Sequence, residues 1–144
     1  MNELATQTNE QLLEHTTQTG TVLLNTVDTT NIEGSKLVIN SINNAKSLAS
    51  LNEDAILYVC DCIIMQGCRR GRGGQPDEPC ANIYLIDNEG NAWFSQSEGI
   101  FRSVGLIYSM FNDFGKSTDE GYLAVQVVTQ KLQNGNTTKN LILL

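Results

Sequence analysis

The sequence is short of what most enzymes need. It holds a single histidine, His15, in a polar stretch near the N-terminus, so no Ser/His/Asp or Cys/His constellation can be assembled in the body of the chain. No segment approaches the roughly 20 consecutive apolar residues of a membrane helix. The opening residues Met1-Asn2-Glu3-Leu4 carry neither the basic nor the apolar segment of a secretion signal, so a cytoplasmic location is expected. Lys and Arg together number only 9 against 16 Asp and Glu, and the net charge of -7 argues against a polycation that coats nucleic acid indiscriminately. The four cysteines, Cys60, Cys62, Cys68 and Cys80, lack the paired C-x2-C knuckles of a zinc ribbon, and with no export signal they read as reduced, buried thiols. Neither a metal nor a cofactor is expected.

What positive charge there is, is concentrated. Three of the four arginines, Arg69, Arg70 and Arg72, stand within Gly67-Cys68-Arg69-Arg70-Gly71-Arg72-Gly73-Gly74-Gln75-Pro76, a stretch with little side-chain bulk that joins two expected strands. Guanidinium groups on such a loop can hold phosphates and stack on bases. Ahead of the first lysine, Lys36, come five carboxylates, Glu3, Glu10, Glu14, Asp28 and Glu33. An acidic leading segment is thus set against a basic loop and is expected to compete weakly with ligands for it.

Residues 1–20 are rich in Thr, Gln, Asn and Glu with little to bury, and predict a flexible polar tail. Residues 21–144 are long enough for one ordinary core. Thr21 to Val27 and Lys36 to Asn40, rich in β-branched residues, predict two flanking strands, and Ser41 to Leu51 a short helix or turn. Ala55 to Met65 and Asn82 to Ile86 predict two strands, and Asp87-Asn88-Glu89-Gly90-Asn91 a hairpin turn into a third over Ala92 to Gln96. Ile100 to Phe114 shows helical spacing through Val104, Ile107, Tyr108 and Phe111, closed by Gly115. Tyr122 to Leu132 and Thr138 to Leu144 form a last hairpin across Asn134-Gly135. The sequence leaves open whether that strand pair supports a homo-oligomer. Three strands, a helix and two strands is the order of an OB-fold, a mainly β, five-stranded Greek-key barrel with its helix between the third and fourth strands.

Within that frame, Trp93 and Phe94 are adjacent in a strand and must point to opposite faces, so one is expected to look outward, and Tyr84 shares the ambiguity. An outward aromatic beside an arginine loop suits stacking of unpaired bases; the competing reading is core packing. Gln96 and Arg102 follow as candidates for phosphate or base edges, while Ser97 reads as the cap of the following helix. Gly115-Lys116-Ser117 imitates a phosphate loop, but Met110 stands where its first glycine is required and a helix precedes it, so the match is accidental. Asp77 and Glu78, between two prolines, read as a solvated acidic turn.

The stretch from Gly67-Cys68-Arg69-Arg70 through Pro79-Cys80, then Tyr84-Leu85-Ile86, Gly90 and Trp93-Phe94-Ser95-Gln96-Ser97-Glu98-Gly99-Ile100-Phe101-Arg102-Ser103, resembles the small single-stranded DNA-binding proteins encoded by phages of Gram-positive bacteria. Asn31-Ile32-Glu33-Gly34 and Asn40 to Leu48 fit the same pattern, so the resemblance covers most of the chain beyond about residue 25. It implies an OB-fold protein that coats unwound DNA in phage replication, alongside replication proteins, with no cofactor and no reaction of its own. The expected DNA-binding residues are Arg69, Arg70, Arg72, Tyr84, Trp93, Phe94, Gln96 and Arg102. The rival reading is a β-barrel interaction module that docks a host or phage protein through the same loop and strand.

Overall fold

A computed structural model describes residues 20–144. Apart from Gly20, the expected tail lies outside the described residues. The described elements are β1 (Val22–Asn25), α1 (Ile32–Asn44), β2 (Lys46–Ser47), a 3-10 turn (Leu48–Ser50), β3 (Ile56–Arg69), β4 (Glu78–Asp87), β5 (Ala92–Ser95), α2 (Glu98–Met110), β6 (Leu123–Lys131) and β7 (Thr137–Leu143). The protein is mainly β, a single curled, open sheet flanked by two helices.

The sheet runs β2-β5-β4-β3-β6-β7, with β1 added to β3. At 14 residues β3 is long enough to serve several neighbours. One of its edges pairs with β4 from Val59 to Arg69, while β6 takes Ile56 to Val59 and β1 takes Ile63 to Met65. A bulge between Val59 and Asp61 bends the strand where it passes from one set of partners to the next. The turns at Asp87–Asn91 and Leu132–Asn136 fall where the Asn/Gly-rich stretches predict them, with Gly90 and Gly135 at positive φ (84° and 85°).

Each face of the β3-β4-β5 region is covered by its own layer. On one face Cys62, Ile64, Ile83 and Leu85 pack with Ile100, Val104 and Ile107 of α2, and with Val125 and Leu141 from the last hairpin. These fully or nearly buried aliphatics are each worth about 1.5–3 kcal/mol against exposure. On the other face Ile63, Tyr84, Ile86 and Ala92 meet Leu37, Val38 and Ile42 of α1.

Helix α2 also covers the edge of β7. The Leu141 N–H donates to Ser103 Oγ (3.0 Å), and Ser103 in turn donates to Gly99 O (2.9 Å). Gly99 is required here, because a Cβ would stand 2.1 Å from Lys139 O. Ser97 caps the helix as expected, its Oγ accepting from Ile100 N at 3.4 Å.

One expected strand is a helix. Lys36 to Asn40 lies in α1, and most of Ser41 to Leu51 divides among the end of that helix, β2 and the 3-10 turn. Asn31 caps α1 through its Oδ1, which accepts from Gly34 N at 2.7 Å. Gly34, Leu37, Val38, Ser41, Ile42 and Ala45 are the residues it turns inward, a helical spacing. Tertiary contact and the cap outweigh the strand preference of Val38 and Ile39.

Candidate nucleic-acid interface

The β3-β4 hairpin ends in the arginine segment, and the structure gives that segment a definite shape. Asp77 Oδ1 accepts from Gly71 N (2.8 Å), and Gln75 N donates to Arg72 O (3.2 Å), closing a turn that places Gly73 and Gly74 at positive φ (62° and 82°). Gly71 has no room for a side chain, since a Cβ would lie 1.9 Å from Gln75 O. Asp77 therefore holds the loop together, and Glu78 opens β4 directly opposite Arg69.

Two adjoining clefts flank this hairpin. Arg69, Arg70, Arg72, Gln75, Pro76 and Glu78 line one of about 680 Å³. A second, of about 440 Å³, is walled by Arg69, Glu78 and Ala81 on the hairpin and by Glu98, Phe101 and Arg102 on α2, with Leu23 and Gln66 beside them. Arg69 and Glu78 belong to both, so the clefts adjoin at this cross-strand pair and together set an arginine path from the loop to the first turns of α2. Arg69 Nη2 donates to Gln96 O at 2.8 Å, which fixes its guanidinium at the junction.

Among the described residues none of the four arginines forms an ion pair; the two that occur are Lys36–Glu33 and Lys116–Asp61. Cationic groups left exposed and unpaired along a path are free to take an anionic ligand.

The site residues expected from sequence separate into two groups. Arg69, Arg70, Arg72, Gln96 and Arg102 come together along the path. Within that group, Gln96 is a positioning residue: its carbonyl holds Arg69, and its Nε2 donates to Asn82 Oδ1 at 2.8 Å. Tyr84, Trp93 and Phe94 line neither cleft. Tyr84 is only 7% exposed and lies against Phe94, ring centroids 5.3 Å apart, on the face that α1 covers. Burial raises its phenol above the ordinary value. Trp93 is half-buried on the opposite face, its Nε1 donating to Asp87 Oδ2 at 3.2 Å, with Lys46 Nζ 5.9 Å from the ring centroid. Tyr84 is thus a core side chain and Phe94 a partly buried one packed against it, because α1, which takes in Lys36 to Asn40, lies over this face.

The aromatic that does face the path is Phe101, 46% exposed. Sequence reasoning passed over it because it lies off the Val104/Ile107 stripe of α2. That displacement from the stripe was itself the available signal, since a large aromatic on the outer side of an amphipathic helix is exposed by construction.

The other chemistry-bearing groups have structural partners. Lys116, from the accidental phosphate-loop match, bonds Asp61 Oδ1 (2.6 Å) and Thr26 O (2.6 Å), and Thr26 Oγ1 donates to the same Asp61 oxygen (2.8 Å). This cluster ties the loop after α2 to β1 and β3. Cys62 is buried, and desolvation followed by the neighbouring Asp61 charge pushes its thiol far up. The same two causes push Cys60 up to about 11, so both thiols are protonated at neutral pH. Cys60 does not share the core face of Cys62: the bulge breaks the alternation, and its Sγ reaches Asp87 O at 3.4 Å. Among the described residues no three His, Cys, Asp or Glu side chains converge as a metal site, and no helix is long and apolar enough to cross a membrane.

No family model, curated protein or solved structure matches this chain.

Proposed function

We propose that the protein is a non-catalytic, OB-type single-stranded nucleic-acid-binding protein, and more particularly one that coats unwound DNA in the cytoplasm of a phage-infected cell. The observation that carries this reading is the pair of adjoining clefts that together hold four arginines without ion-pair partners, with the exposed Phe101 ring on the wall of one. Guanidiniums neutralise phosphates along a strand, and one exposed aromatic gives a sequence-tolerant stacking surface worth about 1–3 kcal/mol per base. The strand order β5-β4-β3-β6-β7, with α2 between β5 and β6, supports the OB-type assignment, with α2 on the β7 edge in place of full hydrogen-bonded closure.

Gly20 N donates to Gln66 O at 2.7 Å, and Gln66 lines the cleft, so the described residues begin at the cleft's edge. Weak competition from the acidic residues Glu3, Glu10 and Glu14 belongs to this reading.

The test is an anisotropy titration of a labelled mixed-sequence oligonucleotide, single-stranded and as duplex, over a range of salt. The reading expects single strands to bind preferentially, with log K falling by roughly 0.7 per decade of salt for each phosphate neutralised, about 3 if all four arginines engage. Equal affinity for duplex, or no binding, would remove it.

A second reading, a protein-interaction module, is favoured by a different surface from the arginine path. Leu106 (62% exposed), Met110 (76%) and Leu143 (43%) stand together around a small apolar cleft between α2 and β7. Such a cluster suits contact with another protein.

A further inference from the structure

A groove built only to hold phosphates has no use for carboxylates, yet the smaller cleft carries two. Glu78 is the cross-strand neighbour of Arg69, and Glu98 precedes Arg102 by one helical turn, so each acid stands near a base. Neither couple is an ion pair, and all four side chains line the same cavity. Acceptor-only and donor-only groups therefore face a ligand separately from two walls. Glu98, Phe101 and Arg102 share one face of α2 at i, i+3 and i+4, which puts an aromatic shelf between an acceptor and a donor. At about 440 Å³ the cleft has room for a planar group with its sugar.

We propose that this cleft reads one unpaired guanine of the bound strand, stacked on Phe101, with Glu98 accepting from its N1–H and N2–H and a guanidinium, Arg69 or Arg102, donating to O6 and N7. The inference rests on the single-strand-binding reading and refines it from sequence-independent coating to a preference at one position. Guanine fits because it alone offers two adjacent donors on one edge and two adjacent acceptors on another. Cytosine and adenine offer a carboxylate one amino group each. Thymine presents its single N3–H between two carbonyl oxygens that repel a carboxylate.

The experiment measures binding of thymine strands of roughly 16 nucleotides. One is all thymine; in the others isolated thymines are replaced by guanine, cytosine or adenine, spaced so that guanines cannot assemble with one another. Full-length protein, Glu98→Gln and Glu78→Gln are compared, with free dGMP as competitor. The guanine strand is expected to bind at least about tenfold more tightly than all-thymine. Glu98→Gln is expected to narrow that ratio to about threefold or less while still binding the thymine strand; Glu78→Gln asks the same of the opposite wall should Glu98→Gln not fold. Equal affinity for all four strands, or a guanine preference that survives Glu98→Gln, or Glu78→Gln where Glu98→Gln does not fold, overturns the inference and leaves the coating reading standing. Displacement of the strand by dGMP at equal base concentration assigns the cleft to free nucleotides and overturns the strand as the source. Failure to bind any strand overturns both.

Discussion

The two aromatic-bearing regions of this molecule look alike in sequence and differ in what covers them. Tyr84 and Phe94 sit on the β4-β5 face, adjacent in register and suited to hold bases, but α1 lies over them. Phe101, isolated on a helix, has no such cover and stands beside unpaired arginines. A residue's chemistry identifies what it can do, and the layer above it decides whether a ligand can reach it.

The largest expected effect lies on the covered side. Tyr84→Ala should lower stability by about 3–5 kcal/mol, as for large aromatics removed from a core, read by chemical denaturation. The protein that remains folded should bind single strands with unchanged affinity. If Tyr84→Ala instead weakened binding at full stability, the comparison would break.

Phe101→Ala should do the reverse. It is expected to cost about 1–3 kcal/mol of single-strand affinity in an anisotropy titration. Its melting temperature should move little, because the ring is half outside the core. Next in size come Arg70→Ala and Arg72→Ala on the loop. Each should reduce the salt slope of binding by roughly 0.7 and weaken all strands alike, since phosphate contacts carry no base identity. Smallest of all, emission of Trp93, the sole tryptophan, should change little on saturation with single strands, because its indole is tied to Asp87 and lines neither cleft. Strong quenching would place bases near β5 and away from the arginine path.

Much of the strand order was legible in the sequence. The runs of strand-forming residues over Ala55 to Met65 and Asn82 to Ile86, the Asp87–Asn91 turn and the Asn134-Gly135 hairpin mark β3 to β7, because those signals are local. Helix α1 was not legible as a helix, since its inward face uses Gly34 and Ser41 where a pattern search looks for apolar residues. That misreading bore on the site: with Lys36 to Asn40 taken for a strand, the sequence left open which of Tyr84, Trp93 and Phe94 was covered, and α1 decides it for Tyr84 and Phe94. The arginine loop was legible because charge density survives without knowing the fold, and Gln96 and Arg102 because their polar groups follow the aromatic strand directly. Their assembly into one path was not, because it depends on the register of Arg69 against Glu78 and on where α2 starts. The match at Gly115-Lys116-Ser117 resolved in the opposite direction, with Lys116 bound to Asp61 rather than free for a phosphate.

The central claim, that a single strand lies along the arginine path and not across the sheet face under α1, is tested most directly by photo-cross-linking a halogenated single-stranded oligonucleotide to the protein and mapping the adducts by mass spectrometry. The account predicts adducts on the peptide carrying Phe101 and on the arginine loop between Arg69 and Pro76. Adducts concentrated on Tyr84 and Phe94 would contradict it.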